Sequence, residues 1–103
     1  MPHYSSKVDR NQAEVVAALR AAGWVVIPMN VMRGKWLDLA ISKQGVTIAV
    51  EVKMPGEALT ESERKFVDEW AGLTMVAYSG QEAVDTAAKM LEFWKAGPFK
   101  VGT

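Results

Sequence analysis

Asp38 and, in the next apolar run, Glu51-Val52-Lys53 are the residues of this chain whose types and spacing can do chemistry. Val46 to Lys53 alternates with period two, which in a strand sends successive side chains to opposite faces. Val46, Ile48, Val50 and Val52 then point one way, and Thr47, Ala49, Glu51 and Lys53 the other. Glu51 and Lys53 share a face, with Cα atoms roughly 6.7 Å apart at two strand rises. The preceding run behaves alike: Leu37, Leu39 and Ile41 form an apolar side, with Trp36, Asp38, Ala40 and Ser42 opposite. A hairpin across Lys43-Gln44-Gly45 brings Asp38 beside Glu51. Two neighbouring carboxylates repel unless a cation sits between them, and hard oxygen donors suit Mg²⁺ or Mn²⁺. A divalent ion polarises a phosphoryl oxygen and acidifies a bound water, while an adjacent lysine holds the phosphate or orients that water. The set points to metal-dependent cleavage of a phosphodiester. The competing reading of Glu-x-Lys is a weak ion pair on a solvated sheet face.

The elements that must position these residues follow from local patterns. A first helix is predicted from about Val8 to Ala22, with Val15, Leu19 and Ala22 on one face and Glu14 at its border, beside Ala18 and Ala21. Trp24 to Met29 reads as an apolar strand. After Met54-Pro55-Gly56 stops the strand that carries Glu51, Thr60-Glu61-Ser62-Glu63 is a capping box for a second helix, with Phe66, Val67 and Trp70 on its apolar side and Gly72 at its end. Leu73 to Tyr78 reads as a fourth strand. Ser79-Gly80-Gln81-Glu82 opens a last helix, with Val84, Ala87, Ala88, Leu91 and Trp94 at helical spacing and Gly97-Pro98 as its stop. The order α-β-β-β-α-β-α predicts an α/β fold, a mixed four-stranded sheet flanked by helices, in a single domain over residues 1–103. Trp24, Trp70 and Trp94 read as packing residues. Trp36 shares Asp38's face and adjoins Arg33 and Lys35, so it either lines the core edge or stacks on an unpaired base.

Composition bounds the function without selecting it. Half of the 103 residues are apolar, enough for one small core. There is no cysteine, which excludes disulfides and thiolate metal sites, and the single histidine, His3, lies in a polar N-terminus. No stretch approaches the roughly 18 apolar residues of a membrane span, and no apolar signal core is present, so a protein of the cell interior is expected. The formal charge is zero, which argues against a generic DNA-coating protein. Its distribution is uneven: residues 1–56 hold seven Lys or Arg against four Asp or Glu, and residues 57–103 hold five against eight. The basic half contains Asp38 and Glu51, where Arg33 and Lys35 are candidate phosphate contacts or simply solvated loop charges.

Taken together, these residues resemble the PD-(D/E)XK nuclease superfamily, and within it the small resolvase-like and VRR-NUC-like enzymes of phages and prokaryotes. The resemblance runs from about Asp9 to Ser79. It comprises Glu14 in the first helix, Gly23 and the strand after it, Gly34-Lys35-Trp36-Leu37-Asp38-Leu39-Ala40-Ile41, and Ala49-Val50-Glu51-Val52-Lys53. It closes on Leu59-Thr60-Glu61-Ser62-Glu63-Arg64-Lys65-Phe66, where family members often have a Leu-Thr-Pro-x-Gln-x-x-Phe-like stretch. Leu37 stands where proline is usual, and Glu63 where glutamine is frequent. The resemblance implies a restriction-endonuclease-like fold and an endonuclease using Mg²⁺ or Mn²⁺ on branched or structured DNA, as Holliday junction resolvases do. It implies that Asp38 and Glu51 bind the metal with the Val52 carbonyl, that Lys53 is catalytic, and that Glu14 supports a metal or its water shell. It also implies a homodimer in the cytoplasm of a prokaryotic or phage-infected cell, and Met90 and Phe93 on the last helix mark a candidate interface. Fold does not fix function, so a catalytically silent domain that binds nucleic acid or a protein partner is the alternative. A third reading, an unrelated α/β domain, predicts no divalent-metal binding.

Overall fold

The computed structural model describes residues 6–32 and 35–96, with side chains from Arg10 onward. Helix α1, Ser6–Ala21, is followed by strand β1, Val25–Pro28, and a single 3-10 turn at Asn30–Met32. Strands β2, Leu39–Lys43, and β3, Val46–Val52, precede helix α2, Glu61–Glu69, strand β4, Leu73–Ala77, and helix α3, Gly80–Ala96. The element order is the expected one. The strands form one sheet in the order β1-β2-β3-β4, with β1–β2 and β2–β3 antiparallel and β3–β4 parallel. A mixed sheet results because a two-residue turn reverses the chain between β2 and β3, whereas the crossover through α2 does not.

Gln44 and Gly45 both have positive φ, 52° and 83°, the backbone of a two-residue hairpin loop whose twist matches that of its strands. This loop sets the register, pairing Lys43 with Val46 and Leu39 with Val50. Period-two alternation then sends Leu39, Ile41, Ile48, Val50 and Val52 to one face, where they are buried with Val26, Met75 and Ala77. Val15 and Leu19 of α1 and Ala83, Ala87 and Leu91 of α3 cover that face. Leu37 is also buried.

Three packing expectations change. The buried stripe of α3 is Ala83, Ala87 and Leu91, while Ala88 is exposed and Trp94 is 43 % exposed. The stripe turns toward α1 because the two helices touch closely: a Cβ on Gly80 would meet the Ala18 methyl at 2.9 Å, so small residues define the contact. Trp70 is 40 % exposed and lies outside the core. Helix α2 buries none of its residues and sits over the other face at the Glu51 end, where Glu63 reaches Lys53. Gly97-Pro98, the expected stop of α3, lies outside the described residues.

Candidate metal and phosphate site

The hairpin register does for Asp38 and Glu51 what their spacing suggested. With Leu39 opposite Val50, Asp38 falls opposite Glu51 at the open end of the β2–β3 ladder. Asp38 Oδ2 accepts the Val52 N–H at 2.9 Å, and Asn30 Nδ2 approaches Oδ1 at 3.5 Å. The N–H and C=O of one strand residue point to the same edge, so the Val52 carbonyl also faces Asp38's side of β3. Glu51 and Lys53 are only 4 % and 8 % exposed. Burial removes the solvated-face reading of Glu-x-Lys, since ion pairs of that kind stand in water.

Lys53 is held along its whole length. Its N–H donates to Ala77 O at 3.0 Å, and its carbonyl accepts Asn11 Nδ2 at 2.9 Å. Asn11 also reaches Tyr78 O at 3.4 Å, tying α1 to the ends of β3 and β4. The ammonium is 2.8 Å from Glu63 Oε1 and 3.7 Å from Glu51 Oε2. Glu63 Oε1 also accepts the Thr60 N–H at 2.8 Å, while its own N–H donates to Thr60 Oγ1 at 3.2 Å. The capping box is therefore present as expected, and its glutamate reaches into the site as well.

Electrostatics follow from burial and crowding. Desolvation, a hydrogen bond with Glu63 and the charge of Asp38 push the Glu51 carboxyl up to about 9, so it carries a proton at neutral pH. Desolvation also raises Asp38, opposed by the Val52 N–H. Burial would raise Glu63, but its hydrogen bonds with Lys53, Thr60 and Glu51 outweigh that and hold it down at about 2. Burial would lower Lys53; the hydrogen bond and charge of Glu63, then the charge of Glu51, raise it instead. A buried carboxyl retaining a proton between carboxylates is where a cation can take the proton's place. Among the described residues no group of three or more His, Cys, Asp or Glu side chains forms a ready cage for an ion. The donor set nonetheless fits Mg²⁺, which is commonly held by one or two carboxylates and takes its remaining ligands from water and phosphate. Asp38 and Glu51 line a cleft of about 140 Å³ with Asn30, Trp36 and Glu63, which leaves room for an ion and its waters. A larger cavity of about 450 Å³ opens at the far end of the sheet, beside Trp24, Lys43, Leu91 and Lys95, and none of the candidate residues borders it.

Other candidates are placed elsewhere. Glu14 Oε2 accepts the Gly80 N–H at 2.9 Å, at the start of α3, and Glu14 borders a separate depression with Arg10, Asn11 and Met54. Its carboxylate thus meets the unpaired amide end of α3 instead of joining Asp38 and Glu51. Trp36 borders the cleft, but its Nε1 donates to Leu39 O at 3.0 Å and its ring packs edge-on against Phe66 and Trp70, at 5.4 and 4.9 Å between centroids. A ring so engaged lines the core edge and fastens α2. Lys35 is exposed on the connection between the 3-10 turn and β2, and Arg33 lies outside the described residues. Sequence reasoning missed Asn11 and the second task of Glu63. The capping box explained Glu63 so fully that only its place on the helix after β3 hinted at more.

No protein-family model matches this chain, nor does any curated protein or solved structure.

Proposed function

We propose that this protein is a divalent-metal-dependent endonuclease that hydrolyses phosphodiester bonds in DNA, with a restriction-endonuclease-like arrangement of its α/β core. The observation that carries the reading is the buried placement of Glu51 near the end of β3 and of Lys53 just after it, with Asp38, just before β2, opposite Glu51. Asp38, Glu51 and the Val52 carbonyl would hold Mg²⁺ or Mn²⁺. When bound, the ion supplies Lewis-acid polarisation of a phosphoryl oxygen and a more acidic water. Asp38 is oriented for this by the Val52 N–H on Oδ2 and by Asn30 Nδ2, 3.5 Å from Oδ1, and it borders the cleft. Lys53 has three ammonium protons, of which Glu63 takes one, leaving donors for the scissile phosphate or the attacking water. A catalytically silent domain has no evident use for a buried lysine ringed by carboxylates.

The substrate assignment, branched or otherwise structured DNA cut by a homodimer, rests on the resemblance of the motifs. Phe93 supports the interface part of it, being 61 % exposed on α3, whereas Met90 packs against the core. Among the described residues no helix is long and apolar enough to cross a membrane. The deciding experiment incubates the protein with labelled branched and linear DNAs in Mg²⁺ or EDTA. Cleavage of a branched DNA in Mg²⁺ and none in EDTA is expected, and intact DNA throughout, with Mn²⁺ tried as well, overturns the proposal.

A further inference from the structure

Lys53 directly follows β3, but its ammonium is located by a helix. Glu51, two residues back on the same face, is 3.7 Å away, beyond hydrogen-bonding distance, whereas Glu63 Oε1 stands at 2.8 Å. The same oxygen accepts the Thr60 N–H, so one carboxylate both closes the first turn of α2 and grips the lysine. Helix α2 has no buried residue to anchor it. It is fastened at two places, and each adjoins one acid of the site. Phe66 and Trp70 pack on Trp36, two residues before Asp38, and Glu63 binds Lys53, two residues after Glu51.

We infer that Glu63 is a positioning residue, which sets where the Lys53 ammonium stands relative to Asp38 and Glu51 and does so as a hydrogen-bond acceptor. A lysine carries four rotatable side-chain bonds, and holding it in one rotamer keeps its remaining donors aimed into the cleft. A purely helix-capping role for Glu63 would leave Lys53 indifferent to the substitution.

The activity part of the test rests on the nuclease reading; the spectroscopic part does not. Proton–nitrogen correlation spectra of the lysine ammonium groups are recorded on the whole, metal-free protein, with Lys53 identified by loss of its signal in Lys53→Arg. The wild type should show a slowly exchanging Lys53 signal, which Glu63→Ala abolishes and Glu63→Gln, still an acceptor and still able to close the capping box, restores. Cleavage should follow: Glu63→Ala lowers kcat at least about tenfold with KM little changed, and Glu63→Gln recovers most of it. Thr60→Ala removes the cap from the other side, so it should lower the melting temperature and leave the Lys53 signal and kcat intact. A Lys53 signal that survives in Glu63→Ala, or a kcat as low in Thr60→Ala as in Glu63→Ala, overturns the inference. Should the wild type cut no DNA, the nuclease reading falls, and the ammonium spectra still decide whether Glu63 holds Lys53.

Discussion

The Asp38 carboxylate accepts the main-chain N–H of Val52 at 2.9 Å, so the acid just before β2 is tied to the backbone between Glu51 and Lys53 at the end of β3. This bond extends the β2–β3 ladder by one step beyond its last backbone pair, using a side chain where a main-chain carbonyl would otherwise serve. The distance between Asp38 and Glu51 is consequently fixed by this bond and by the β2–β3 register beside it. Sites built on strands hold their ligands more exactly than sites on loops.

Because each of the three residues supplies a different interaction, each is needed. Asp38→Ala, Glu51→Ala and Lys53→Ala should lower cleavage by at least about a hundredfold, the scale of removing a metal ligand or a charge that stabilises the transition state. DNA binding in Ca²⁺, measured by anisotropy, should persist in all three. A Lys53→Ala protein that cuts at the wild-type rate would remove lysine from the mechanism.

Side chains that meet phosphates away from the chemistry should behave differently. Lys35 is exposed and makes no ion pair among the described residues, so Lys35→Ala and Arg33→Ala together should weaken DNA binding in Ca²⁺. The salt dependence of the dissociation constant should flatten by roughly one unit for each phosphate that is no longer neutralised. Cleavage at saturating protein should recover. An unchanged slope would show that neither side chain meets the DNA backbone.

Much of the scaffold was legible because its signals are local. The alternation in Val46–Val52, the turn across Lys43-Gln44-Gly45, which the structure narrows to Gln44-Gly45, and the capping box at Thr60–Glu63 each act within a few residues, and together they imply the element order and the meeting of Asp38 with Glu51. What was not legible depends on how elements come together. Glu14 and Gly80 are far apart in sequence and meet only because α1 packs on α3, so the sequence offered no sign that Glu14 would be occupied there. The Trp36–Phe66–Trp70 cluster arises in the same way from the docking of α2. Helical spacing alone could not tell Trp70 on a core face from Trp70 on an aromatic clasp.

Stability of the metal-free protein should fall as pH rises through neutrality. Glu51 is raised to about 9 in the folded state, so between its ordinary value of 4.5 and 9 the folded chain holds a proton that the unfolded chain has released. Asp38 is displaced in the same direction. Glu63, held at about 2, contributes stability that is present above 4.5 and is lost as pH falls toward 2. Urea denaturation in EDTA should accordingly give a higher midpoint at pH 5 than at pH 8.5, with a decline again below pH 4. A midpoint that climbs from pH 5 to 8.5 would mean that Glu51 is ionised in the folded protein.

Asp38→Asn isolates the charge of the first acid from its shape. The amide oxygen can still accept the Val52 N–H, while the charge that helps to raise Glu51 is gone. Burial disfavours the charge of Asp38 itself, so the metal-free variant should be more stable than the wild type near neutral pH, by something on the order of 1 kcal/mol. Millimolar Mg²⁺ or Mn²⁺ should raise the melting temperature of the wild type by mass action, since the ion binds only the folded arrangement. In Asp38→Asn that rise should shrink or vanish, because an amide oxygen is a much poorer partner for a hard dication than a carboxylate. Ordinary solvated carboxylates would produce neither effect. Melts of both proteins in EDTA and in Mn²⁺ separate the possibilities: equal metal shifts in the two would show that Asp38 is not a ligand, and the nuclease proposal would then lose the geometry on which it stands.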